Sequence, residues 1–406
     1  MKGNEVYELD FQVQIDELLN STFGSRKSGA NLCLELCEQR VRVLPKAQPP
    51  VNGLSTRSLT SYIAICPPSH LEVNWKLYHR GNVVGSNERI CNMLLIPWPF
   101  EVHPSQFREC NVAGTHERIG WFIYSPDTSE NLPLIAVERL VNQAENTLGR
   151  PDLVVMPETS MTLTQYELVK NFLARRDIGL IAGVCSPGDQ VQPFGKNVAM
   201  MSFPEPEEID FVELWQQYKH HRWKIDASQI ENYGIATQLN PQKCWWEGIC
   251  VEKRSLSFFV LREWLCSCVM ICEDLARIDP AGQLVRAVAP DLVIALLFDG
   301  PQLATRWPAY HATVLADDPG SSVLTLSCLG MTRLSRPVNF QHLKDSSTVI
   351  GMWRDPRRGQ VQIELPPGKT AAMLTVARYK QTCETADGRS NLSLDGAPKF
   401  ASLNYL

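Results

Sequence analysis

Three side chains with reactive chemistry each lie at or near the end of a predicted buried strand. Cys272 directly follows the apolar run Cys268–Ile271, Glu158 closes a similar run that starts at Asp152, and Lys219 lies in a basic cluster between the two. A thiol becomes a nucleophile when a base removes its proton, and a carboxylate in a dry pocket can be that base. An ammonium group can stabilise the oxyanion that forms on a carbonyl carbon. Together these groups could cleave a carbonyl-derived bond through a covalent intermediate.

Each of these residues also has an ordinary structural explanation when it is taken alone. A buried cysteine near a strand end more often packs than reacts. Glu158 could stabilise the start of a helix, and Lys219 could be a solvated surface charge. A metal site formed by His220, His221 and the cysteines of residues 266–272 is disfavoured, because their C-x-C-x3-C spacing lacks the usual paired ligands.

The order glutamate, lysine, cysteine, each in a strand-end context, resembles the nitrilase (carbon–nitrogen hydrolase) superfamily over roughly residues 92 to 380. The segment Gln217-Tyr-Lys-His-His221 resembles the Tyr-x-Lys-x-His or Gln-x-Lys-x-His form common in that family. The resemblance implies that Glu158 is the general base, Lys219 the cation beside the tetrahedral intermediate, and Cys272 the nucleophile. It implies hydrolysis of a non-peptide carbon–nitrogen bond, in an amide or carbamoyl group rather than a nitrile, through a thioester. No organic cofactor or metal is implied.

The same resemblance suggests which groups surround the substrate. The backbone N–H of Glu273 is the candidate second donor to the oxyanion. In the family, the segments after the following strand and in the next helix line the pocket. The candidates at those positions are Phe298, Asp299, Arg306 and Trp307.

Two features of the lysine region leave alternatives open. Lys224 is a second candidate for the catalytic lysine, although the surrounding motif favours Lys219. Many family members carry a second glutamate soon after the lysine, and here Gln229 and Glu231 are the residues on offer. The stretch 227–248 is predicted to be irregular and to form loops over a pocket.

The expected fold is α/β, a nitrilase-like α-β-β-α sandwich with an N-terminal accessory segment. A strand at 120–125, a helix at 132–147 and a strand at 152–156 predict a βαβ unit with parallel pairing. Functional groups in such sheets collect beyond the carboxyl ends of the strands, where Glu158 falls. Three further segments resemble the closing strands of the family's second sheet: 349–353, 360–365 and 371–377.

The sequence divides into an accessory region, residues 1–90, and a hydrolase domain, residues 91–406. Helices are predicted at 5–19 and 30–43 in the accessory region, with a strand at 61–66.

The bulk composition is that of a globular protein without a strong charge bias. The chain has 406 residues, of which 44% are hydrophobic and 20% charged, and a formal net charge of −5. This charge gives no indication of binding to nucleic acid or to an anionic membrane. The 13 cysteines are odd in number and scattered, so we expect reduced thiols in a cytoplasmic protein. The family resemblance implies a small amide-type substrate and a homodimer.

Two other classes of function are considered. One is a binding or sensor module of the same fold with slow or absent turnover. In support, Leu315–Leu326 resembles nitrilase-like domains that accompany bacterial reverse transcriptases in antiviral defence. The other is a dinucleotide- or phosphate-binding protein, which is disfavoured because no G-x-G-x-x-G or G-x4-G-K-[ST] motif follows any predicted strand.

Overall fold

The computed structural model describes most of the chain from residue 89 onward and short stretches before it. The helices predicted at 5–19 and 30–43 fall outside the described residues, apart from 41–43, which form a strand. The division at residue 91 stays a prediction. The described residues are 41–43, 63–66, 71–77, 89–112, 114–188, 193–204, 212–251, 254–262, 264–335, 347–383 and 392–406.

Two seven-stranded sheets form the body of the molecule. Strands are numbered along the chain. Each sheet is given below in spatial order, so that strands next to each other in the text are hydrogen-bonded. The first sheet consists of β10 (Val212–Tyr218), β9 (Lys196–Pro204), β8 (Gly179–Ser186), β7 (Leu153–Val155), β4 (Ile90–Leu95), β19 (Ala372–Cys383) and β20 (Leu392–Tyr405). The second consists of β18 (Gly359–Glu364), β17 (Val349–Asp355), β16 (Ser322–Ser327), β15 (Leu292–Leu297), β14 (Leu265–Ile271), β13 (Ser255–Arg262) and β3 (Glu72–Leu77).

The apolar strands divide their side chains between two cores because successive residues point to opposite faces of a sheet. In β4, Met93 and Leu95 pack into the core between the two sheets. Their neighbours Leu94 and Ile96 pack into a second core under the helices. Each sheet therefore buries both of its faces.

Helices cover the outer faces of the sheets. The first two helices pack on the first sheet, and the fourth and fifth pack with the second sheet. The predicted α-β-β-α sandwich is therefore confirmed. No helix among the described residues is both long and apolar enough to cross a membrane. The α-helices are α1 (Leu132–Thr147), α2 (Leu163–Ala174), α3 (Ala227–Asn232), α4 (Gln283–Val288), α5 (Trp307–Asp317) and α6 (Leu329–Leu334).

A small four-stranded sheet forms a separate layer with its own core. Its buried side chains include Phe122 and Trp245, and they pack against Phe298, which directly follows β15. This layer therefore covers the carboxyl end of β15. The small sheet contains, in spatial order, β11 (Lys224–Ile225), β12 (Cys244–Glu247), β6 (Ile119–Tyr124) and β5 (Phe107–Cys110); a further pair is β1 (Val41–Val43) with β2 (Ile63–Ile65).

Three topological predictions need correction. The strand predicted at 120–125 does not pair with β7, because it is β6 of the small sheet; the βαβ unit is β4, α1 and β7, with β4 and β7 parallel. The strand predicted at 371–377 belongs to the first sheet, where β19 pairs with β4. The stretch 227–248 contains α3 and β12 and is not simply loops. Strand pairing is decided by distant partners, which a local pattern does not reveal.

Close packing of β8 against the end of β7 fixes the backbone on which Glu158 stands. Gly183 donates its N–H to the Pro157 carbonyl at 3.0 Å and accepts from the Ser160 N–H at 2.9 Å. A Cβ atom on Gly183 would lie 2.4 Å from the Glu158 Cα, a separation that real Cβ contacts do not reach. The glycine is therefore required by this approach.

We expect Gly183→Ala to destabilise the protein by about 2 kcal/mol or more, because backbone atoms must move to admit the methyl group. The matched control is Gly114→Ala, where φ is +78° and no atom lies within 4 Å of the added Cβ. That change should cost only about 1 kcal/mol of backbone strain. Chemical denaturation of the two variants measures the difference, and equal losses would contradict this interpretation of the β7–β8 contact.

Candidate active site

The centre of the site is a buried lysine held between two carboxylates. Lys219 follows β10, Glu158 follows β7, and each is only 1% exposed. The Lys219 ammonium lies 2.8 Å from the Glu158 Oε1 and 2.7 Å from the Oε2 of Glu247. The two residues singled out from distant parts of the sequence are thus in direct contact.

Glu247 and Asn197 are members of this cluster that the sequence analysis missed. Asn197 donates its Nδ2 protons to Glu158 and to Glu247, both at 2.8 Å. Glu247 also accepts the backbone N–H of Trp223 at 2.9 Å. The sequence did contain a signal for Glu247, because this acid ends the aromatic run Cys244–Glu247. Side chains alternate between the two faces of a strand, which places Trp245 and Glu247 together on the buried side.

The residues proposed for the second glutamate position lie elsewhere. Gln229 caps the start of α3 with Asp226, and Glu231 is exposed. Lys224, the alternative lysine, is also exposed and lies over the ring of Trp246.

Two buried side chains attach the lysine segment to the second sheet. Gln217 donates to the Val269 carbonyl of β14 at 2.8 Å and accepts the Ser257 N–H of β13 at 3.2 Å. Asp274 accepts the backbone N–H groups of His220 and His221 at 3.0 Å each, and the His221 Nδ1 lies 2.8 Å from the same carboxylate. Because Asp274 is two residues beyond Cys272, it links the cysteine loop to the lysine loop.

Cys272 begins a short 3-10 helix, Cys272–Ala276, at the carboxyl end of β14. Its backbone has φ +45°, and Thr159, the residue after Glu158, has φ +51°. Non-glycine residues rarely adopt this left-handed region, and such residues gather at functional sites. Both proposed reactive groups therefore stand at sharp, unusual turns where strands end.

The electrostatic environment couples Cys272 to the charged cluster. Burial raises the pKa of the Cys272 thiol well above its usual value, and the Glu158 carboxylate raises it further. Lys219 and the backbone N–H of Phe298 oppose these effects. Cys272 is 5% exposed, and the net upward shift of its pKa favours the protonated thiol.

Glu158 and Lys219 shift each other's proton affinity. Burial raises the pKa of Glu158, Lys219 lowers it, and Glu247 raises it again, with a net upward shift. For Lys219, burial would lower the pKa, but Glu158 and Glu247 raise it well above its usual value. Lys219 therefore holds its proton more strongly than a free lysine, and Glu158 has an increased tendency to accept a proton.

The predicted pocket residues do not all lie together. Asp299 is 7% exposed, and its Oδ1 accepts from the Tyr233 hydroxyl at 2.8 Å and from Arg306 at 2.9 Å. Phe298 is buried in the aromatic core of the small sheet, 4.4 Å from Tyr124 between ring centroids.

Glu273 and Trp307 are placed differently. The Glu273 carboxylate pairs with Arg277 in the next turn. The Trp307 ring contacts His311 within α5 and packs partly against the inter-sheet core.

Within the described residues, no group of three or more His, Cys, Asp or Glu side chains is arranged to hold a metal ion. His220 and His221 instead use ring nitrogens toward the Ser255 carbonyl and Asp274.

Comparison with known proteins gives matches among solved structures only. No family model matches the sequence. No curated protein matches it either.

The chain is similar to Nit3 of Saccharomyces cerevisiae, a member of branch 10 of the nitrilase superfamily, at 15% identity and TM-score 0.39 over 68% of this chain and 86% of that one. It is similar to an amidase from Nesterenkonia sp. at 13% identity and TM-score 0.43, over 74% of this chain and 93% of that one. A mutant of the Nesterenkonia amidase, which carries the acetamide moiety of fluoroacetamide on its active-site cysteine, matches at 13% identity and TM-score 0.42 over 72% of this chain and 91% of that one.

At these identities and TM-scores, the activity of this chain has to be argued from its own side chains. The narrower resemblance to the defence-associated branch stays a prediction. The chain has the sandwich fold predicted from its sequence, and the solved structures it resembles include members of the nitrilase superfamily.

Proposed function

We propose that this protein is a carbon–nitrogen hydrolase of the amidase type, with Cys272 as nucleophile, Glu158 as general base and Lys219 as the fixed cation. The observation that carries the proposal is the buried contact of Lys219 with Glu158, 2.8 Å long, in electrostatic contact with Cys272. Burying an ammonium group is costly unless it is paired, so such a cluster is more typical of a functional site than of a scaffold. The substrate is an amide or a carbamoyl compound.

In the first half of the reaction, the Cys272 sulfur attacks the carbonyl carbon while Glu158 accepts the thiol proton. Proton transfer accompanies attack because the thiol is protonated at rest and Glu158 has a raised proton affinity. The carbonyl oxygen becomes an oxyanion, which Lys219 and the Glu273 N–H stabilise. That N–H lies in the first turn of the short helix at Cys272, where helical N–H groups lack intrahelical acceptors.

In the second half, the tetrahedral intermediate collapses and the carbon–nitrogen bond breaks. Glu158 returns its proton to the leaving nitrogen, which departs as ammonia or an amine, and a thioester remains on Cys272. Glu158 then takes a proton from water as the water attacks the thioester. The acid is released, and the thiol regains its proton.

Glu247 has a supporting role in this proposal. It holds the second side of the Lys219 ammonium at 2.7 Å, which prevents the lysine from turning entirely toward Glu158. Asn197 keeps the two carboxylates at a fixed spacing through the two hydrogen bonds that its side-chain amide donates. Both residues orient the groups that react.

A binding or sensor module is the second candidate, and the near-complete enclosure of Cys272, at 5% exposure, favours it. In that case a metabolite would occupy the pocket without rapid turnover. A homodimer and the link to antiviral defence remain predictions from the family resemblance, and a cytoplasmic location remains a prediction from the cysteine content.

The hydrolase proposal predicts that Cys272→Ala lowers amide turnover by about 10³-fold or more, since a nucleophile cannot be replaced by its neighbours. Ammonia and amine release from a panel of amides and carbamoyl compounds is the measurement. The control is Cys268→Ala, which removes a buried thiol of β14 without touching the cluster. Turnover in Cys272→Ala equal to that of the wild type would sink the proposal, and no turnover by the wild type would favour the binding module.

The raised pKa of Glu158 predicts the acid limit of activity. Glu158 must be ionised to accept the thiol proton, so kcat/KM falls as pH drops through its pKa. Because burial raises that pKa, the loss should occur above about pH 4.3, the usual value for a glutamate. A pH–rate profile measures the limit, and full activity persisting to about pH 4.3 would contradict the assigned base.

Asp274 is predicted to act as a positioning residue. Asp274→Asn places N–H groups against the His220 and His221 donors, so the lysine loop shifts relative to Cys272. We expect kcat to fall by about 10²-fold, with KM little changed.

The matched control is Asp152→Asn, which weakens another inter-sheet contact, the 2.7 Å bond from Arg262, at the opposite end of β7. Steady-state kinetics and thermal melting of both variants separate the effects. Loss of stability with unchanged kcat in Asp274→Asn would show a purely structural role.

A further inference from the structure

One carboxylate oxygen of Asp299 accepts three hydrogen bonds, and the other accepts none from the described residues. Its Oδ1 accepts from the Tyr233 hydroxyl, the Arg306 guanidinium and the Gly300 N–H at 2.7–2.9 Å. Its Oδ2 is buried and has no hydrogen-bond partner among the described residues. Leaving a buried carboxylate oxygen without a donor is costly, so such an atom calls for a partner that the protein does not supply.

The strand register brings Asp299 close to the loop that carries the proposed nucleophile. Strands β14 and β15 are parallel neighbours, with Ile271 opposite Leu296. Cys272 and Phe298 directly follow these two strands at the same edge of the sheet, and the Phe298 backbone lowers the pKa of the Cys272 thiol. Asp299 is the next residue, and it also acts electrostatically on the Cys272 thiol.

The polar groups already present cannot turn to satisfy this oxygen. Tyr233 and Arg306 both point to Oδ1, and the second Arg306 nitrogen donates to the Pro301 carbonyl at 3.0 Å. Ser327 fixes the Asp299 backbone by accepting its N–H at 3.1 Å. The carboxylate is therefore held in one orientation, with Oδ2 ready to accept a hydrogen bond.

The charges around the site disfavour an anionic substrate. In the part of the chain that the structure describes, three carboxylates, of Glu158, Glu247 and Asp299, are paired with two cations, Lys219 and Arg306. The Oε2 of Glu158 is also buried without a partner among those residues. A substrate that brought a further carboxylate would meet an excess of negative charge and two oxygens that only accept hydrogen bonds.

We propose that Asp299 selects the substrate: its Oδ2 accepts an N–H of a neutral or cationic amide, and amides with a carboxylate beside the scissile carbonyl are rejected. This inference rests on the proposed hydrolase function for its reaction, and it adds the chemical class of the substrate. Asp299 acts by direct contact with the substrate.

The test uses two alkylating reagents of the same shape, iodoacetamide and iodoacetate. Each forms a carbon–sulfur bond to Cys272 and releases iodide, and the thiol proton passes to a base. Iodoacetamide presents N–H donors, whereas iodoacetate presents only acceptors and a negative charge. Mass spectrometry of the Cys272 peptide gives both rates, and each is divided by the rate on free cysteine in the same buffer.

We expect the normalised rate ratio, iodoacetamide over iodoacetate, to be about tenfold or more at Cys272, because one hydrogen bond to a charged group distinguishes the reagents. In Asp299→Asn the ratio should fall by about tenfold, since an amide N–H then replaces the accepting oxygen. The control Asp355→Asn removes another buried carboxylate, bonded to Trp353 in β17, and should leave the ratio unchanged.

A ratio near one in the wild type would overturn the proposal, as would no labelling of Cys272 by iodoacetamide, because a pocket for amides at the thiol must admit it. The wild-type measurement decides the matter even if Asp299→Asn fails to fold. Because alkylation requires no turnover, this result is independent of the Cys272→Ala hydrolysis test.

Discussion

The site depends on one buried cation, the Lys219 ammonium, held between Glu158 and Glu247. Its removal from water is offset only because both carboxylates approach within 2.8 Å and Asn197 spaces them. Removing one partner of a buried ion pair costs about 3–5 kcal/mol, because the remaining charge has no solvent to replace it. The cluster therefore holds together as a unit, and burial together with its charges sets the proton affinities of Glu158 and Cys272.

The architecture brings this cluster toward Cys272, the proposed nucleophile, across the boundary between two sheets. Glu158 and Lys219 end strands of the first sheet, whereas Cys272 ends a strand of the second. Gln217 and Asp274 tie the lysine segment to the second sheet with hydrogen bonds, which have directional requirements that apolar packing lacks. The small sheet adds Glu247 and covers the end of β15. A shift of either large sheet would therefore separate the reacting groups.

Local patterns in the sequence were sufficient to single out the candidate residues that follow short apolar strands. Glu158 and Cys272 were proposed because a short apolar run that ends at a polar residue is visible in a few letters. Lys219 was favoured over Lys224 by its neighbours, and the structure places Lys219 against Glu158 while Lys224 is exposed. The four-layer sandwich was expected from the resemblance to the nitrilase superfamily, and the alternation of strands and helices agreed with it.

Residues whose position depends on pairing between strands far apart in the chain could not be predicted from local sequence patterns. Glu247 lies on a strand of four residues that pairs with β6, more than 100 residues earlier in the chain. That pairing is set by tertiary packing, so the segment around Trp245 looked irregular. The same limitation placed β6 in the wrong sheet. Asn197 was missed because an isolated asparagine has no local signal; its role exists only once both glutamates are nearby.

The most direct test of the central claim is the pKa of the Cys272 thiol in the Glu158→Gln variant. It can be measured from the pH dependence of iodoacetamide labelling at that residue. Since the Glu158 carboxylate raises this pKa in the intact cluster, its removal should lower the value relative to the wild type. An unchanged pKa in a folded Glu158→Gln protein would mean that the two residues do not share one site, and the proposed mechanism would be wrong.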